Sequence, residues 1–256
     1  MPASSVPHAS SRFDIVISDI DGCIAPESAG PMDAGKLARV AAYNIAATQQ
    51  RDRPMITFCS GRPQPYAEAL SRMIANVSVP IICEMGVWLY DPRDNAFLFD
   101  PAISSDDMRR IHACETWVRE TLCPQGVVIQ PGKTASVSLW HKDTALLMRM
   151  KPQIEATIAR EGWQMRVANT VAWINIELQH VSKASGIRRL LNMTQTPKQR
   201  LAGIGDTMGD MAIREAVSFF ACPANADDKL KAHADYVSPH EDVEGVLDIL
   251  ERVRSA

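Results

Sequence analysis

Short runs of apolar, largely β-branched residues that break off at polar ones recur along the chain, and segments with helical spacing separate most of them. The first, Phe13 to Ser18 (FDIVIS), stops at Asp19, and Met55 to Cys59 (MITFC), Val79 to Cys83 (VPIIC), Leu201 to Gly205 (LAGIG) and Val217 to Ala221 (VSFFA) have the same character. Continuous apolar runs this short read as strands buried on both faces of a parallel sheet. Between them Met32 to Gln50, Pro63 to Ile74 and Met208 to Ala216 are candidate helices. Near the C-terminus Val243, Val246, Leu247, Leu250 and Val253 form a stripe of helical period. Strand and helix in alternation predict an α/β fold whose core is a doubly wound, Rossmann-like, mostly parallel sheet.

The middle of the chain follows another rhythm. Two short strands (Val87 to Asp91, Asn95 to Phe99) lead to a helix opened by Ser104 with Asp107 three residues on, a variant of the capping box. Strands around Val127 and over Ser136 to Trp140 follow, then a helix from Asp143 that is expected to kink or restart at Pro152. Val167 and the alternating Val171 to Leu178 close the segment as strands. The pattern predicts an inserted α+β domain over residues 87–179, a core made from residues 13–86 and 180–256, and a flexible leader over residues 1–12. A length of 256 residues suits this division, since domains run to about 150 residues.

Composition removes several classes of function. With 46% apolar and 22% charged residues the chain is not disordered throughout. A net charge of −3 supplies no field to gather nucleic acid or anionic lipid, and no basic run provides a local one, so neither is an expected partner. No stretch approaches the roughly 18 apolar residues of a membrane helix. The six cysteines are scattered without a CxxC pair and read as free thiols in a reducing compartment. The leader has neither a secretory apolar centre nor the Arg-rich pattern of a transit peptide, so a cytoplasmic location is expected.

Ligands of open α/β sheets bind beyond the carboxyl ends of the strands. After FDIVIS comes Asp19-Ile20-Asp21-Gly22, two carboxylates one residue apart that an extended backbone would project to the same side. Their crowding is relieved if a divalent cation binds or one acid keeps its proton, although a solvated Asp-Asp-Gly turn has the same composition. After MITFC comes Ser60-Gly61-Arg62-Pro63, built either as an anion site at a helix N-terminus or as a plain N-cap. After LAGIG comes Asp206-Thr207-Met208-Gly209-Asp210, whose acids share a face if a helix begins there, to bind a hard cation or to stabilise the helix dipole. Lys183 opens a further candidate helix. Met208 stands where a dinucleotide loop begun at Gly203 needs its third glycine, which removes that reading.

Taken in order, DxDG after the first strand, SGR after a later one, a lysine and GDxxxD resemble the four-motif signature of the haloacid dehalogenase (HAD) superfamily of Mg²⁺-dependent phosphohydrolases. The insertion lies where members with a large α/β cap (C2 type) carry theirs, and Pro80 to Gly86 (PIICEMG) and Ala221 to Ala226 (ACPANA) look like landmarks of that class. The smaller phosphoglycolate phosphatases, and more distantly the sucrose-phosphate and mannosyl-phosphoglycerate phosphatases, are similar. The resemblance implies Asp19 as nucleophile, Asp21 as general acid and base, and Ser60, Gly61 and Lys183 around the phosphoryl oxygens, with Arg62 adding positive charge there. It implies Mg²⁺ held by Asp19, the Asp21 carbonyl, Asp206 and Asp210. Three positions depart from the pattern: Cys23 replaces a usual Thr, Met85 a frequent Asn and Gly209 a common Asn. They imply a looser motif loop, an altered substrate contact and weaker metal binding.

The function so implied is hydrolysis of a small phosphorylated metabolite, phosphoglycolate or a sugar or glycerate phosphate, through an aspartyl-phosphate. A phosphomutase of the same fold is the alternative, and a phospho-acceptor signalling module is disfavoured because the chain is too long and its acceptor would follow the first strand. A catalytically silent binding protein is disfavoured because every charged catalytic position is filled. Substrate choice would fall to the insertion, where Lys133, His141, Arg166 and Glu177 are polar candidates, although solvated surface positions explain each of them more readily.

Overall fold

Side chains at all four positions of β1 (Ile15–Ser18) are buried, which requires covering layers on both sides of its sheet. These coordinates are a computed structural model, and they describe residues 11–27, 30–170 and 172–255; most of the expected leader, residues 1–10, lies outside the described residues. After β1 come α1 (Ala34–Gln50), capped by Asp33, which accepts from the Lys36 N–H at 3.0 Å, and the equally buried β2 (Met55–Phe58). α2 (Gln64–Met73) starts behind Pro63, whose fixed φ suits a helix entrance, and leads to β3 (Ile81–Cys83).

The next two strands, β4 (Trp88–Asp91) and β5 (Ala96–Phe99), form an antiparallel hairpin on β3. β3 in turn touches the main sheet through a parallel bridge between Cys59 and Ile82. α3 (Ser105–Thr121) opens with the Ser104–Asp107 capping box that the sequence predicts. There follow β6 (Val128–Ile129), β7 (Ser136–Trp140), α4 (Thr144–Arg160), β8 (Met165–Asn169) and β9 (Trp173–Leu178), whose strands make an antiparallel sheet in the order β6-β7-β9-β8. Ile111, Cys114 and Val118 of α3 and Leu147, Ile154 and Ile158 of α4 pack with Val137, Leu139, Ile174 and Ile176 of that sheet. α4 runs on through Pro152 instead of restarting. Burial of its apolar stripe outweighs the one backbone hydrogen bond that proline cannot donate.

The chain then returns through α5 (Lys183–Thr194), β10 (Leu201–Ile204), α6 (Met211–Ala216), β11 (Phe219–Cys222), the single turn α7 (Asp228–Lys231), β12 (Tyr236–Val237) and α8 (Asp242–Arg254). The main sheet is parallel, in the order β12-β11-β10-β1-β2. α1 and α8 cover one face, where Leu37, Val40 and the valine-leucine stripe of α8 meet Val16 and Ile56. α5 and α6 cover the other, where Ile187, Leu190 and Ile213 meet Ile15 and Ile17. The core is therefore doubly wound, as the alternation of elements predicts. Among the described residues no helix is long and apolar enough to cross a membrane.

Candidate active site

Register brings the motifs together. Ser18, at the end of β1, stands opposite Phe58 on one side and Ile204 on the other, so the segments beginning at Asp19, Cys59 and Gly205 leave the sheet at one edge. Asp19 is tied down by its N–H, which donates to the Ile204 carbonyl at 3.0 Å, and its Oδ1 accepts from the Ile20 N–H at 2.8 Å. Lys183 reaches the same edge from the first position of α5, where the reciprocal bonds of Ser182 and Ser185 fix the helix start. Its Nζ lies 2.9 Å from Asp19 Oδ2 and 2.7 Å from Asp210 Oδ1. The other Asp210 oxygen accepts from the N–H groups of Asp206 and Thr207 at 3.0 and 3.2 Å.

Asp19, Asp206 and Asp210 are all buried, and one oxygen from each falls within 4.8 Å of the others. Burial pushes Asp19 up to about 7, with Asp210 adding repulsion and Lys183 pulling the other way. Asp206 rises to about 9 through burial and the nearby Asp19 and Asp210. Burial alone would push Lys183 down, but Asp19 and Asp210 outweigh it and hold it well above its ordinary range. Three carboxylates thus face one ammonium, and Asp206 Oδ1 is buried without a hydrogen-bond donor. A hard divalent cation fits this donor set, which is all oxygen and short of positive charge. Gly22 keeps the space open: it has φ +68°, and a Cβ there would stand 2.0 Å from Asp206 Oδ2.

Asp21 lies apart from the three-acid group. The chain turns after Asp19, with the N–H groups of Cys23, Ile24 and Ala25 all donating to the Ile20 carbonyl, so the extended geometry that would place both acids side by side ends at β1. Both Asp21 oxygens accept from Arg62 Nε, at 3.0 and 2.8 Å, and the guanidinium sits 5.0 Å from the Tyr66 ring centre. Arg62, expected at the phosphate, is in this structure the partner of Asp21. Ser60 is buried, and its hydroxyl accepts from the Arg62 N–H at 3.2 Å. The Ser60 carbonyl accepts from Met85 N–H at 3.0 Å, and Met85 Sδ lies 3.4 Å from where a Cβ on Gly61 would be.

Residues 139–250, a stretch with Lys183, Asp206 and Asp210 but without Asp19, match the family of haloacid dehalogenase-like hydrolases. A Methanothrix thermoacetophila protein named phosphoglycolate phosphatase is 32% identical over 83 residues, covering 32% of this chain and 37% of that protein. That match spans little more than a third of the relative. A protein of the same name from Methanosarcina acetivorans is 22% identical over 247 residues, 95% of this chain and 98% of its own length. A solved structure from Thermoplasma acidophilum superposes with a TM-score of 0.72 at 16% identity, covering 95% of this chain and 99% of that one. These likenesses together support a relationship to the haloacid dehalogenase superfamily.

The likeness of fold extends over the insertion as well. The sucrose-phosphatase from Synechocystis superposes with a TM-score of 0.67 at 14% identity over 94% of this chain and 98% of its own. Two residues that hold this site carry no role in the sequence reading, although both lie in quoted segments. Asn225 donates to the Gly22 carbonyl at 2.8 Å and accepts from the Asp242 N–H at 2.8 Å, clamping the Asp19 loop to α8. Glu84 is buried and accepts from the N–H groups of Thr134 and Ala135 and from the Ser136 hydroxyl, each at 2.8 Å. Their local signals, an asparagine after Pro-Ala and a glutamate after an apolar strand end, do not reveal their partners.

Proposed function

We propose that the chain is a Mg²⁺-dependent phosphomonoester hydrolase that works through a phosphoryl group carried on Asp19. The observation that supports this most is the buried Asp19 carboxylate held between Lys183 and an oxygen cluster short of positive charge. Lys183 orients Asp19 and favours its ionised form against the burial that raises its pKa, and with the Ser60 hydroxyl and Gly61 N–H it would bind the phosphoryl oxygens. An Asp19 oxygen bonds to phosphorus as the ester bond breaks, and Asp21 gives its proton to the departing alcohol. Water then attacks phosphorus, Asp21 takes its proton, and the Asp19–phosphorus bond breaks to release phosphate. For Asp21 to hold that proton, Arg62 must release at least one of the oxygens it now covers.

The carboxylates of Asp19, Asp206 and Asp210, with the Asp21 carbonyl, would hold the Mg²⁺. When bound, the ion neutralises charge between an anionic nucleophile and an anionic ester. The substrate is a small phosphorylated metabolite, phosphoglycolate or a sugar or glycerate phosphate; the names of the relatives support the first. In the same proposal residues 13–86 and 180–256 form the catalytic core and residues 87–179 the cap. The six free cysteines suit the cytoplasm, where we place the enzyme. The test is phosphate release from a panel of phosphorylated metabolites. Release should require Mg²⁺ and fall at least a thousandfold in Asp19→Asn; comparable activity in that variant would refute the assignment.

A further inference from the structure

Three of the four polar residues considered in the insertion are committed to the fold. His141 is buried, and its Nδ1 accepts from the Asp143 N–H at 2.9 Å at the start of α4. Arg166 bonds Glu177 at 2.6 Å and the carbonyls of Leu178 and Val181 at 2.8 and 2.7 Å, fastening β8 to the end of β9. Lys133 differs: among the described residues its ammonium has no hydrogen-bond or ion-pair partner in this structure. We propose that Lys133 selects the substrate by binding a carboxylate on the organic part of the phosphate ester, an assignment that rests on the phosphatase reading above.

Position carries the argument. On one side of Lys133, a Cβ on Gly132 would stand 3.6 Å from Pro63, the neighbour of Arg62. On the other, Thr134, Ala135 and Ser136 are pinned by Glu84, and the Trp88 indole donates to the Thr134 hydroxyl at 3.0 Å. The Glu84 N–H in turn donates to the Arg62 carbonyl at 2.8 Å, so one frame holds both the Lys133 loop and the Arg62–Asp21 pair. Lys133 therefore sits on the side of Asp21, the acid that would serve the leaving alcohol, and not among the Asp19 and Lys183 groups that would take the phosphoryl end.

The charge inventory points the same way. Lys133 is half-buried, and burial lowers its pKa against the pull of Glu84 and Glu177, with Arg62 and Asp21 also close enough to be felt. Each of those acids is already occupied: Glu84 by three donors, Glu177 by Arg166 and Asp21 by Arg62. A partly desolvated ammonium with no carboxylate left for it gains most from an anion brought by the ligand, and a neutral alcohol has none to offer.

The experiment compares kcat/KM for 2-phosphoglycolate and for monoethyl phosphate, esters of similar size that differ in the carboxylate. The natural chain should prefer 2-phosphoglycolate. Lys133→Met should lower that preference ratio by about ten- to a hundredfold, the range of a charge-assisted hydrogen bond, mainly through KM. Lys133→Arg should retain most of it. An equal fall for both esters, an unchanged ratio, or a natural preference for monoethyl phosphate would overturn the assignment. Hydrolysis of neither ester by the natural chain would also overturn this assignment, whereas the phosphatase reading falls only if no ester of the metabolite panel releases phosphate.

Discussion

Asp19 and Asp21 stand two positions apart, yet one is gripped by a lysine in a buried cluster and the other by an arginine at half-exposure. In the proposed mechanism that separation serves a nucleophile and a proton carrier, because a group that reacts as its anion and one that must change its proton need different surroundings. Gly22 makes the arrangement possible, and its replacement tests it. In Gly22→Ala the positive φ costs roughly 1–2 kcal/mol, and the new methyl meets Asp206 Oδ2 at 2.0 Å, so the carboxylate must move. The Mg²⁺ concentration for half-maximal activity should rise at least tenfold, as a metal titration of initial rates would show; an unchanged value would mean that Asp206 plays no part in holding the ion. That Asp19, Lys183, Asp206 and Asp210 gather at one edge of the sheet was legible in the sequence because their residue types and order are informative. The Arg62–Asp21 pair was not, since nothing in the order of residues says which anion an arginine will face.

At the scale of elements, in-register pairing of β1 with β2 and β10 does most to make a site out of separate motifs. Those strands were legible because they are short, continuous and apolar. The α8 stripe and the α3 capping box were legible for equally local reasons, and both form as expected. What was less legible depends on tertiary partners. The sequence shows two strands at residues 87–99 but not that they pair with β3 while β6 to β9 form a separate sheet. Pro152 reads as a kink or a restart, and Leu147, Met150, Ile154 and Ile158 of α4, all buried, carry the helix past it without a restart. Glu84 could not be given a role for the same reason: its three donors lie fifty residues and more along the chain.

Over the whole molecule, a net charge of −3 conceals a steep local imbalance, three buried acids about one lysine. That imbalance links stability to pH. Asp19 and Asp206 sit at about 7 and about 9 in the folded chain against 3.8 ordinarily. Between those values the folded chain keeps protons that the unfolded chain has released, so stability falls as pH rises from about 4 towards 9. Thermal melts in chelator should show Tm declining through that window. Saturating Mg²⁺ should raise Tm, and most at the alkaline end, where the carboxylates are ionised and bind it best. A Tm that is flat in chelator and unmoved by Mg²⁺ would contradict this linkage.

The stereochemical course at phosphorus tests the covalent role of Asp19 most directly. Each in-line displacement inverts the phosphorus centre, so transfer first to Asp19 and then to water inverts it twice. With an ester made chiral at phosphorus by oxygen isotopes, the released phosphate should show overall retention. Overall inversion would mean that water attacks the ester in one step, and Asp19 would not be the nucleophile.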